Sequence, residues 1–209
     1  FGIRNNLRHL KHIPWLLIYS RIVFALLIVS MALVDASSTP YWIVGLMIAG
    51  LISDIFDGII ARRLGVSSEK LRVWDSNVDQ FFWLVSIASI FYLRFDFVWA
   101  HAFWIVTVFV LEFLCYLSSL VKFKKPIATH SLLAKFWTLT MLVFLIDLTL
   151  HESSYVPFVV TVILGIVSRI EILLIVLGLK RWATDVPSIL AVRNINQGKQ
   201  VKRHKLFNG

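Results

Sequence analysis

The stretch SDIFDGIIARRLGVSSEKLRVWDSNVD, residues 53–79, holds four aspartates, Asp54, Asp57, Asp75 and Asp79, on either side of a basic connection. Long apolar runs flank it in both directions. Asp54 and Asp57 stand at i, i+3 and Asp75 and Asp79 at i, i+4, so each pair shares one face of its helix. Asp54 lies eight residues before Arg62, about 12 Å along a helix axis. At that depth in a bilayer an unpaired carboxylate costs several kcal/mol.

The bilayer follows from composition. The 209 residues are 58% hydrophobic, and the mean hydropathy of +0.80 is beyond that of a soluble domain. The apolar residues fall into runs of about 20, the length that spans a membrane as a helix. The runs predict an all-α integral membrane protein with six transmembrane helices, at about 14–34, 41–62, 75–94, 98–122, 131–150 and 156–179. These form one membrane domain over 1–179. Residues 180–209 are a basic tail, expected to lie on the membrane surface or to be flexible. Cys115, the single cysteine, sits in an apolar run and excludes a disulfide framework. The six histidines show no metal spacing and read as surface or packing residues.

Basic residues set the orientation. Arg4, Arg8 and Lys11 precede the first span. Arg62, Arg63, Lys70 and Arg72 join the second to the third, and Lys122, Lys124 and Lys125 join the fourth to the fifth. The opposite connections hold only Arg94. Both termini are therefore expected to be cytoplasmic. The net charge of +9 reads as topology and as attraction to anionic lipid, with no nucleic-acid partner. The opening FGIRNNLRHLKHIPW places Ile3, Leu7 and Leu10 beside a basic face, which predicts an N-terminal interfacial amphipathic helix. A disordered basic leader is the alternative. No cleavable signal peptide is expected, because the basic start runs straight into a full-length span.

Four converging carboxylates repel one another unless something neutralises them. Hard divalent cations bind through oxygen, and two Mg2+ would balance four negative charges, with Mn2+ as a substitute. The competing reading makes the acids helix caps, or partners of Arg62, Arg63, Lys70 and Arg72. It suits Asp75 at the start of a span better than Asp54 and Asp57, which lie too deep. Arg21 in the first span lies at a depth like that of Asp54 and could be its counter-ion.

The stretch resembles the motif of the CDP-alcohol phosphotransferase family, whose members move a phosphatidyl or similar group from a CDP-linked donor to an alcohol in phospholipid synthesis. That motif is Asp-x-x-Asp-Gly-x-x-Ala-Arg, eight residues, Gly, three residues, Asp, three residues, Asp. Asp54, Asp57, Gly58, Ala61, Arg62, Asp75 and Asp79 match at every spacing. The resemblance implies that Asp54, Asp57 and Asp75 hold the metals. Asp79 would be the general base on the acceptor hydroxyl and would touch a metal as well. Gly58 and Ala61 would admit the nucleotide and Arg62 would contact the donor phosphates. It also implies a homodimer with its active site at the cytoplasmic face, here expected in a bacterial cytoplasmic membrane.

Three positions depart from the family. Leu71 stands where the family has its second glycine. Trp15 and Ile18 stand where the family's Pro-Asn-x-x-Thr-x-x-Arg has small polar residues, between Pro14 and Arg21. These departures touch donor recognition rather than the metal site, and a catalytically altered relative with a non-CDP donor is one alternative. Further on, SLLAKFWT at 131–138 resembles a segment of phosphatidylglycerophosphate synthases, which makes Lys135 a candidate for a phosphorylated acceptor. Snorkelling to lipid phosphate would explain Lys135 equally well. Arg169 in the sixth span is the second acceptor candidate, against a structural pair with Glu112. A cation-coupled transporter would use the same carboxylates as an ion site, but no second half repeats them. Prenyltransferases also use aspartate pairs with Mg2+, and their two clusters lie farther apart in sequence.

Overall fold

The computed structural model describes residues 12–34, 39–66, 68–125, 131–151, 153–183 and 186–198. They form helices α1 (Ile13–Val34), α2 (Thr39–Arg63), α3 (Glu69–Leu93), α4 (Phe95–Ala100), α5 (Ala102–Phe123), α6 (Leu132–Leu150), α7 (Tyr155–Gly178) and α8 (Ala191–Asn196). The expected surface helix at the N-terminus and the end of the tail lie outside the described residues. Five helices, α1, α2, α5, α6 and α7, are long and apolar enough to cross a membrane, and the chain is an all-α integral membrane protein. The third expected span differs. α3 starts at Glu69, ahead of Asp75, so its first turns are charged and only Asn77–Leu93 forms an apolar run. The fourth expected span is also broken, with α4 ending at Ala100 and α5 starting at Ala102.

The chain divides into two units: Phe1–Phe95 with Leu148–Glu152, and Asp96–Asp147 with Ser153–Gly209. In the first unit α1 packs along both α2 and α3, while α2 and α3 touch each other little directly. One place where they do is Gly50, whose missing Cβ would stand 2.3 Å from the Phe82 ring. Several polar groups in this apolar interior find partners on nearby backbone carbonyls. Ser20 and Ser53 both donate to the Leu17 carbonyl, at 2.7 and 2.8 Å, tying α2 to α1. Ser86 and Ser89 donate back to the Phe82 and Val85 carbonyls of their own helix. At its far end, Arg94 donates to the carbonyls of Leu148 and Thr149. Such pairing is what a medium without water demands.

In the second unit α5 packs on α7. Gly165 makes room for Trp137 and Val108. Phe97, Phe144, Tyr155 and Phe158 form an aromatic cluster that includes His101, stacked on Phe97 at 4.3 Å. Cys115 is a buried core residue. Beyond α7 the chain folds back. Val186, Ala191 and Val192 bury against Ile175 and Leu179. Asn196 closes the C-terminus of α7, accepting from the Lys180 amide and donating to the Gly178 carbonyl, each at 2.9 Å. Lys122 donates to the Val176 and Leu177 carbonyls at that same end. A cation is favourable there, because the helix dipole leaves the last carbonyls negative.

Candidate metal centre

Three helices of the first unit build the site. Asp54 and Asp57 project from one face near the end of α2, and Asp75 and Asp79 from one face near the start of α3. Ser68 caps α3, its hydroxyl accepting from the Leu71 amide at 3.2 Å. Asp75 therefore lies past the first turn and is not the cap. The fifth group comes from α1. Arg21 is fully buried, and its guanidinium reaches all four carboxylates. Nη1 donates to Asp54 Oδ1 at 2.7 Å and to Asp79 Oδ1 at 3.4 Å. Nη2 donates to Asp57 Oδ2 at 2.5 Å and also to Asp75 Oδ1.

Asp57 is buried, whereas the side chains of Asp54, Asp75 and Asp79 are each about one-third exposed. The centre is thus open on one side. Asp54, Asp57 and Asp75 each offer an oxygen, and the three oxygens lie within 4.8 Å of one another. Hard oxygen donors at that separation suit Mg2+ or another hard divalent cation after small side-chain rotations. The residues present fit such an ion. Asp79 stands outside this group of three and joins the centre through Arg21.

Neighbouring motif residues divide into open and filled positions. A Cβ on Gly58 would meet only the Arg62 guanidinium, 3.6 Å away, so an exposed basic side chain lies over a bare stretch of α2. Ala61 is buried among apolar side chains, Ile18 and Leu71 included. Ile18, Ala61, Leu71 and Val78 form one apolar cluster, with Trp15, Ile22 and Val66 packed against it. Trp15, Ile18 and Leu71 therefore meet in one apolar cluster. Trp15 also stacks on Tyr19 at 6.0 Å, and Tyr19 meets Trp74 at 6.5 Å.

Lys135 and Arg169 belong to the second unit. Lys135 lies in the first turn of α6 and is half-buried. Arg169 is buried, with Nε donating to Glu112 at 2.6 Å, Nη1 donating to Ser168 Oγ at 2.8 Å, and its guanidinium 3.6 Å from the Trp137 ring centroid. The pair with Glu112 is formed.

Sequence reasoning gave Arg21 to Asp54 alone and missed its three further partners. A usable signal was there: Arg21 is a cation deep in a span with no acid within its own helix, so its partners had to come from other helices.

The family model for CDP-alcohol phosphatidyltransferase matches residues 11–179. No curated protein and no solved structure matches the chain. The match spans the aspartate centre and every long helix, and the chain belongs to the CDP-alcohol phosphatidyltransferase family.

Proposed function

We propose that the chain is a Mg2+-dependent membrane transferase that moves a substituted phosphate group from a CDP-linked donor to an alcohol. The observation that carries this reading is the approach of three carboxylate oxygens, on Asp54, Asp57 and Asp75, to within 4.8 Å, inside the region matched by the family. A bound divalent cation would neutralise charge on the donor diphosphate and make its phosphorus a better electrophile. Asp54, Asp57 and Asp75 would hold that charge in place, with a second ion as the fuller loading. Arg62, lying over Gly58, is suited to the donor phosphates through its fork of donors. Asp79 would take the proton from the acceptor hydroxyl. As that oxygen bonds to phosphorus, the bond from phosphorus to the cytidine monophosphate oxygen breaks, and the nucleotide leaves with the electron pair. Positioning contributes as much as basicity, since a carboxylate beside cations is a weak base.

In this reading α3 crosses the membrane through Asn77–Leu93 as a sixth span, both termini face the cytoplasm and the centre opens there. Lys135 would meet a phosphorylated acceptor, with Arg169 the second candidate despite its bond to Glu112. The chain would act as a homodimer in a bacterial cytoplasmic membrane. The test is synthesis of lipid product by purified protein supplied with Mg2+, a CDP-linked lipid and candidate alcohols. Wild type should turn over and Asp79→Asn should lose at least about 100-fold. Equal rates remove Asp79 from the base role.

A second reading has support of its own. Trp15, Ile18 and Leu71 meet in one cluster beside the centre, which favours a donor whose leaving group is not cytidine monophosphate. Product formed from another nucleotide-linked donor, and none from a CDP-linked one, would decide for it.

A further inference from the structure

Arg21 is bound to the centre more completely than a bystander would be. Its two terminal nitrogens donate to one oxygen on each of the four aspartates. Its Nε–H is buried without an acceptor, so the side chain gives up one hydrogen bond to sit where it does. One guanidinium faces four carboxylates, so by formal charge the site carries more acid than Arg21 can balance. Such a site still attracts cations strongly.

The oxygens held by Arg21 are on the carboxylates that a metal would use. An ion held by Asp57 and Asp75 would compete for the oxygens to which Nη2 donates. Two cations so close repel each other strongly, because Arg21 and Asp57 are buried and solvent reaches the centre from one side alone. We propose that Arg21 is the resident cation of this centre and that the divalent ion binds in competition with it. The proposal rests on the metal reading above. Arg21 holds the four carboxylates together when no metal is present, and it must withdraw for the centre to load. It belongs to α1, the helix packed on both α2 and α3, so loading is coupled to a rearrangement at the meeting point of all three. Arg21 is a positioning residue here, acting through the metal ligands.

The test is Mn2+ binding to the purified full chain in detergent, read from the electron paramagnetic resonance of free Mn2+. Arg21→Met, which removes the charge and keeps the bulk, should bind at least about tenfold more tightly than wild type. Arg21→Lys, which keeps the charge and loses the fork, should fall between them. In Arg21→Ala, added methylguanidinium should weaken Mn2+ binding competitively, and in wild type it should have no effect. A folded Arg21→Met protein with affinity equal to or below that of wild type overturns the proposal, as does non-competitive inhibition by methylguanidinium. If Arg21→Met does not fold, Arg21→Lys decides by the same comparison. Equal Mn2+ binding by all variants removes the competition and leaves the metal reading standing. Absence of Mn2+ binding throughout removes both.

Discussion

Phe82 packs its ring against the bare backbone of Gly50, so closely that a Cβ on Gly50 would stand 2.3 Å from Cζ and 2.7 Å from Cε1. Phe82 is fully buried and has no room to retreat. Gly50→Ala should therefore push α2 and α3 apart and lower stability by about 1–3 kcal/mol, the usual cost of overpacking. Unfolding of the purified protein in detergent measures it. Combining Gly50→Ala with Phe82→Leu should cost less than the two single changes added together, because the second relieves the clash made by the first.

Leu71 is the next expected weak point. It is buried against Ile18, Ala61 and Val78, so Leu71→Ala removes packed methyl groups and leaves a void. The expected loss is about 2–5 kcal/mol, again read by unfolding. A loss below about 0.5 kcal/mol would show that the cluster is loosely packed in solution.

Asp57 and Asp79 should separate in a metal titration. Asp57 is buried and belongs to the group of three close oxygens, whereas Asp79 lies outside it. Asp57→Asn is expected to weaken Mn2+ binding by at least about tenfold, and Asp79→Asn by less. Calorimetric titration of both variants checks the order, and a reversed order would exchange their roles.

Glu112 and Arg169 are unequal partners, since the Arg169 side chain is buried and that of Glu112 is half exposed. Glu112→Gln leaves the guanidinium over Trp137 without its counter-charge. The expected loss lies between the roughly 1 kcal/mol of an exposed pair and the 3–5 kcal/mol of a buried one. If Arg169 instead serves an acceptor phosphate, Glu112→Gln should lower the acceptor KM while stability falls little.

Much of this architecture was legible in the sequence, and the exceptions have physical causes. Runs of about 20 apolar residues announce spans directly, and α1, α2, α5, α6 and α7 lie where those runs do. α3 was harder to read. Glu69, Lys70, Arg72, Asp75 and Asp79 make its first turns polar, so hydropathy detects only Asn77–Leu93. The aspartate spacing was visible because helix periodicity alone brings each pair to one face. The four-way role of Arg21 was not visible, since it depends on three helices meeting at one level. Nor could sequence tell that Trp15, Ile18 and Leu71 share a cluster, because residues 15 and 71 are brought together only by tertiary packing. The fold-back of Val186, Ala191 and Val192 onto α7 was hidden by the basic composition around it.

The position of Arg21 has a consequence for how the protein is made. Its partners lie 33, 36, 54 and 58 residues further along the chain. At synthesis rates of roughly 5–20 residues per second, the last of them emerges about 3–12 s after Arg21 itself. Throughout that interval the nascent first helix carries a charge that lipid alone would reject, so it must wait beside water or an insertion partner until the acidic hairpin arrives to receive it.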